Sequence, residues 1–350
     1  MTAPPSGPGR PEPTGPVLFL LLLVLLGLIA VAWDAGYQTT PAGPGLPQAA
    51  AEPAGPPGPP APAEPPVVEE PAAPAAPAEP AEKAGAEPVT TLPGGRTRVF
   101  EGRRFLVAHY GTAGTGALGV LGERPPERAA AAVRRTARAF RRPGRPVQPV
   151  FELIVTVADS QPGPDGDYSH DIERADVRRY IAAARRHGVL LLLDLQPGRS
   201  DFLTVAKRWE WALRDPYVGL ALDPEWRMPS GQVPGRVVGR VHAREVNKTS
   251  AWLAGLVRRE RLPEKLFVLH QFRTSMLPDI ERIKNRPGLA SVQHVDGFGN
   301  RREKRATYTA VAKPRQFTMG FKLFYDEDVN RMGPADVHAI RPRVRFVSFQ

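Results

Sequence analysis

The chain has 350 residues, 41 prolines, no cysteine and a formal net charge of +11. Without cysteine there is no disulfide, no thiolate nucleophile, no thiolate metal ligand and no lipidated N-terminal cysteine, so an exported form must be held by its core alone. The length allows one large domain or two ordinary ones, and the prolines crowd into the first 94 residues.

Residues 1–16, with Arg10 as their basic side chain, are predicted to be a cytoplasmic tail. From Val17 to Trp33 the chain is uncharged and apolar, at the short limit of what spans a bilayer, roughly 17–25 residues. Arg10 before this run and Asp34 after it favour an inside N-terminus with the remainder outside. Ala30-Val31-Ala32 also fits the small-x-small pattern cut by signal peptidase, so secretion after signal cleavage is the alternative to a single-pass membrane anchor. The anchor is preferred because the leader is long, proline-rich and almost uncharged. Residues 34–94 are mainly Pro, Ala, Gly and Glu; they cannot bury enough apolar surface to offset chain entropy and are predicted to be a disordered linker. At about 3.1 Å per residue in polyproline conformation, roughly 60 residues reach on the order of 190 Å.

The charge is divided unevenly. Residues 1–94 hold Arg10 and Lys83 against nine acids; of 47 basic and 36 acidic residues in the whole chain, this leaves 45 and 27 in residues 95–350, a balance of +18. Such a surface attracts polyanions, which outside a cell means anionic wall polymers or lipid head groups. Aromatic and basic residues do not interleave as they do on base-stacking surfaces, so no nucleic-acid partner is expected.

From residue 105 the chain presents eight short apolar runs, each ending in polar residues. They are Phe105 to Tyr110, Val150 to Val157, Val189 to Leu195, Tyr217 to Asp223, Leu266 to Phe272, Leu289 to Val295, Thr318 to Tyr325 and Val344 to Phe349. Amphipathic helices are predicted between them at Glu127 to Phe140, Asp171 to His187, Asp201 to Arg214 and Val246 to Arg261, with Gly188 as a C-terminal cap. Near-continuous apolar strands suit a parallel sheet covered on both faces. Eight such units predict an α/β fold, a (β/α)8 TIM-type barrel over residues 95–350; an open doubly wound sheet is the runner-up. The glycines of Gly111 to Gly116 lack the spacing of a phosphate-binding loop and are read as a rim loop.

In barrel order the strand ends carry His109 and Tyr110, then Glu152, Asp194 and Gln196, and Asp223 with Glu225 and Trp226. His270 and Gln271, His294 and Asp296, Lys322 with Tyr325 and Asp326, and Gln350 follow. Barrel interiors pack with Val, Ile and Leu, so titratable groups gathered at one end are what a site requires. The pair Asp223 and Glu225, spaced i, i+2 at the end of one strand, is the sharpest of these features. The alternative for Asp223-Pro224 is a turn and a helix cap.

Val218-Gly219-Leu220-Ala221-Leu222-Asp223-Pro224-Glu225-Trp226 resembles the strand-four signature of family 18 glycoside hydrolases, chitinase-like barrels with the pattern Asp-Gly-x-Asp-x-Asp-x-Glu. Gly219, Asp223 and Glu225 match it, while Val218 and Ala221 stand where its first two acids would be. The resemblance implies that Glu225 protonates the leaving sugar oxygen and that Asp223 holds a proton and orients a substrate N-acetyl group. The same Asp-x-Glu resembles that of family 25 lysozymes, which cleave peptidoglycan. Over residues 105–350 the chain is similar to a family of exported barrel proteins of high-GC Gram-positive bacteria, of unknown activity. Leu195-Gln196-Pro197-Gly198-Arg199, Leu222-Asp223-Pro224-Glu225-Trp226, Leu269-His270-Gln271-Phe272 and Phe324-Tyr325-Asp326-Glu327-Asp328 carry that similarity.

Three functions are therefore in competition. The first is a glycoside hydrolase acting on a cell-wall or extracellular glycan, with Glu225 and Asp223 catalytic and Tyr110, Glu152, Asp194, Gln196, Trp226, His270, Asp296 and Tyr325 binding substrate; no metal or other cofactor is expected for it. The second is a non-catalytic glycan- or wall-binding module on a membrane tether. The third is a metal-dependent hydrolase or phosphodiesterase drawing on His109, His270, His294, Asp223 and Asp296, without a His-x-His spacing to support it.

Overall fold

The computed structural model describes residues 91–350. The predicted tail, the apolar segment 17–33 and the linker up to residue 90 lie outside the described residues. No helix among the described residues is long and apolar enough to cross a membrane.

Among the described residues nine strands form in chain order: β1 (Phe105–Gly111), β2 (Val147–Ala158), β3 (Ser169–Asp171), β4 (Leu190–Leu195), β5 (Val218–Leu222), β6 (Lys265–Gln271), β7 (Leu289–Val295), β8 (Thr318–Leu323) and β9 (Val344–Phe349). The order β1-β9-β8-β7-β6-β5-β4-β2 is all parallel and closes on itself through β1 and β2. Closure removes every free edge from the eight-stranded barrel. These eight strands are the eight apolar runs of the sequence. β3 is outside that count: it pairs antiparallel with Thr156–Ala158 at the far end of β2.

Helices cover the outside. They are α1 (Pro126–Ala139), α2 (Arg174–His187), α3 (Phe202–Arg208), α4 (Glu210–Leu213), α5 (Ala243–Arg259), α6 (Arg301–Val311) and α7 (Pro334–Ala339). Gly188 ends α2 with a left-handed φ of 63°, and its N–H bonds the Ala184 carbonyl, as its place after the last helical turn predicts. The single helix expected over Asp201 to Arg214 is instead two. Asp201 caps α3 through bonds from the N–H groups of Leu203 and Thr204, but at Trp209 the backbone leaves helical geometry. The Trp209 indole is buried there and its N–H donates to Thr156 Oγ1 at 3.0 Å; a hydrogen bond to a strand fixes where the turn must break.

Alternation along each strand sorts the side chains. Phe151, Leu153, Leu191, Leu193, Leu220 and Phe267 join the helices in one outer cluster. Leu106, Ala108, Val150, Leu190, Leu192, Ala221, Val268, Val292 and Phe346 fill the barrel's interior, together with Leu92 and Val99 from the segment ahead of β1. That segment lies across the strand starts: Glu264 N donates to the Thr97 carbonyl, and Arg96 donates to Gln148 Oε1 at 2.7 Å. The packed region thus reaches back to Leu92, and the sequence boundary at residue 95 falls inside it.

Candidate functional site

Two residues beyond each interior apolar residue, at the C-terminal end of every barrel strand, the inward position is polar. Ala108 is followed by Tyr110, Val150 by Glu152, Leu192 by Asp194, Ala221 by Asp223, Val268 by His270, Val292 by His294, Gly320 by Lys322 and Phe346 by Ser348. All eight are buried. A ring of eight polar side chains costs a barrel solvation and gives it no packing it could not obtain from Val or Leu, so its presence is the mark of a site.

His270 stands at the centre. Its Nδ1 bonds Asp296 Oδ2 at 3.0 Å, and its Nε2 lies 3.2 Å from Glu152 Oε1 and 3.9 Å from Asp194 Oδ1. The Glu152 approach is a charge contact in an orientation that makes no hydrogen bond, so both of these atoms lack a hydrogen-bond partner among the described residues. Tyr110 donates its hydroxyl proton to Asp194 Oδ2 at 2.8 Å and accepts a longer bond from Gln196 Nε2 at 3.3 Å. The Lys322 ammonium lies 3.5 Å from the centre of the Tyr110 ring, a cation–π contact over one face. His294 shares a hydrogen bond with Ser348 Oγ at 2.7 Å, and its ring meets that of His270 edge-on.

Crowding so many charges out of water separates their proton affinities. Burial, reinforced by the Asp194 charge, pushes the Tyr110 phenol up, and burial raises Asp194 and Asp223 as well. Burial opposes the charged form of His270, yet the Asp194 charge and the Asp296 hydrogen bond outweigh it and hold the imidazole well above its ordinary value. For His294 burial, joined by the His270 charge, outweighs the Asp296 charge and drives it well below. Asp296 is also disfavoured as an anion by burial, but the bond and charge from His270 keep it below the usual carboxylate range. Glu225, half-buried on the turn after β5, is raised to about 7, first by desolvation and then by the Asp296 charge.

Asp223 combines both roles weighed from the sequence. Its Oδ1 accepts the Glu225 N–H at 3.1 Å and caps the 3-10 turn Pro224–Trp226, while the side chain stays buried among the interior carboxylates. The turn lifts Glu225 and Trp226 out of the buried layer, where both keep part of their surface in solvent.

The remaining sequence candidates are distributed otherwise. His109 has the opposite parity to Tyr110 and points outward, its Nε2 bonded to Thr136 Oγ1 of α1 at 2.9 Å. Tyr325 stacks on Phe349 and beneath Arg331, on the outer side of β9. Gln271 likewise faces out and accepts from Gln293 at 2.6 Å. Sequence reasoning placed Lys322 among the strand ends without a role and did not single out Ser348; both are inward only by the parity that barrel closure fixes. A surface hollow lined by Arg98, Phe100, Glu264, Asn285, Gln316 and Arg345 opens at the opposite end, among the strand starts, and shares no residue with this layer.

No protein-family model matches the chain, and no curated protein matches it.

Proposed function

We propose that the barrel is an exported glycoside hydrolase acting on a cell-wall or extracellular glycan at the C-terminal mouth of the strands. The observation that carries this reading is the opposed pair Glu225 and Asp296. One carboxyl is poised at about 7 and reachable from solvent, and its neighbour is kept ionised by His270. Two carboxyl groups whose surroundings drive them apart are what a glycosidase needs to divide the acid and anionic roles.

Glu225, about half protonated near neutrality, donates its proton to the oxygen of the leaving sugar. Asp296 supplies the negative charge that stabilises the positive charge developing at the anomeric carbon, and a water that adds to that carbon returns a proton to the Glu225 carboxylate. Asp223, raised by burial, keeps its proton and fixes the turn that presents Glu225. Trp226, beside Glu225 and partly exposed, offers an indole face to a sugar ring. The basic balance of residues 95–350 favours anionic wall polymers at the domain's surface as a whole.

The test is release of reducing ends from peptidoglycan, chitin and α- and β-glucans by the purified full-length chain, beside Glu225→Gln and Asp296→Asn. Activity on one of them that both substitutions abolish is the expected result. Equal inactivity of all three proteins on every polymer overturns the reading, and glycan binding that persists without turnover points to a binding module instead.

A further inference from the structure

One set of atoms in the interior layer is left over by the glycosidase reading. His270 and His294 are each pinned through one ring nitrogen: His270 Nδ1 by Asp296 at 3.0 Å and His294 Nε2 by Ser348 Oγ at 2.7 Å. The opposite nitrogens, His270 Nε2 and His294 Nδ1, are buried and have no hydrogen-bond partner among the described residues. Both oxygens of Glu152 and Asp194 Oδ1 share that condition. Donor atoms of Glu152, His270 and His294 all lie within 4.8 Å of one another.

We propose that Glu152, His270 and His294, with Asp194 Oδ1 beside them, form a binding site for a divalent first-row transition ion of the zinc type. A ring nitrogen held by a carboxylate or hydroxyl on its far side, with its lone pair turned inward, is the usual state of a metal-ligating histidine. In this arrangement His270 Nδ1–H donates to Asp296 and His294 Nε2–H donates to Ser348. Imidazole and carboxylate donors without any thiolate select borderline ions over soft ones, and the chain has no cysteine. Gly320 belongs to the same design: a Cβ there would sit 2.3 Å from His294 Nδ1, so the missing side chain leaves the ring its place.

The competing explanation is a protonated His270 paired with Glu152 alone. It leaves His294 Nδ1, one Glu152 oxygen and Asp194 Oδ1 still without partners, whereas one cation takes a donor from Glu152, His270 and His294 together. It also leaves Glu152, Asp194 and Asp296 with His270 and the more distant Lys322 as their countercharges, where a dication adds balance at the centre. Ligands at about 2.0–2.2 Å from one ion stand roughly 3.3–3.6 Å apart in a tetrahedron, so donors within 4.8 Å of one another close by at most about 1.5 Å on loading. Glu225 is not among the donors, while Asp296, which pins His270, is shared with the glycan reading; zinc uptake and reducing-end release read the two separately.

The experiment strips the full-length chain with a chelator, reloads it with zinc alone, and reads metal content, zinc affinity by competition and melting temperature. About one zinc per chain and a raised melting temperature are expected. Glu152→Gln and His294→Asn should weaken zinc binding at least tenfold, Ser348→Ala by about tenfold through the pinned ring, and His109→Asn, an equally buried outward histidine, not at all. If a substituted chain does not fold, cobalt-loaded wild type decides: strong four- or five-coordinate visible absorption supports the site. Weak absorption like that of the hydrated ion overturns it. So does wild type that takes up no zinc, or binding unchanged in folded Glu152→Gln and His294→Asn.

Discussion

Replacing Glu225 by glutamine isolates the electrostatics of the mouth, because shape is kept and ionisation is lost. The folded chain raises this carboxyl from 4.5 to about 7, so between those values the native state holds a proton that the unfolded chain has released. A raised folded value means that the group's contribution to stability is complete below pH 4.5 and is lost as pH climbs through 7. A shift of about 2.5 units at about 1.4 kcal/mol each gives roughly 3.5 kcal/mol. Part of the side chain faces solvent, and screening reduces this to about 1–2 kcal/mol. Denaturant unfolding of wild type and Glu225→Gln across this range should therefore show the mutant gaining on wild type between pH 4.5 and 7, with a constant difference above. Because Asp296 makes the largest charge contribution to the shift, the gain should shrink in an Asp296→Asn background. A difference that is flat with pH, or that grows only above 7, would refute the assignment of Glu225 as the proton holder.

Three further outcomes follow from the same geometry. Turnover on the responsive glycan should fall as pH rises through about 7, and Glu225→Gln should cost about 10²- to 10⁴-fold in rate, measured as reducing ends released per minute. Lys265, buried at the start of β6 and donating to the carbonyls of Asp215 and Val218, is lowered by desolvation from 10.5 to about 7. The unfolded chain binds the extra proton in that window, so thermal stability should climb with pH from about 7 toward 10.5, and Lys265→Met should remove the slope. Gly320→Ala places a methyl against the His294 ring, which should destabilise the fold by about 1–3 kcal/mol in denaturant titrations; wild-type stability in this variant would show that the ring moves freely.

The strands were legible because each is a dense apolar run such as Val189-Leu190-Leu191-Leu192-Leu193, and helices must follow to cover its outer face. That same density hides parity. In β1, Phe105 and Val107 are as apolar as Leu106 and Ala108, so nothing local tells which of His109 and Tyr110 turns inward. The site candidates at strand ends were therefore a mixture of two faces, separated only when the barrel closes. β3 escaped notice because three residues become a strand only by pairing with the end of β2. The break at Trp209 escaped for a related reason: helical spacing continues through it, and the partner that interrupts it, Thr156, is 53 residues away.

The segment across the strand starts has a directional consequence. Residue 91 enters the fold beside Leu92 at the pole opposite the acidic layer, so a bead, a surface or a fused domain attached upstream grips the domain by its base. A tag or support joined at residue 91 therefore leaves the mouth, at the other pole, open to a long polymer.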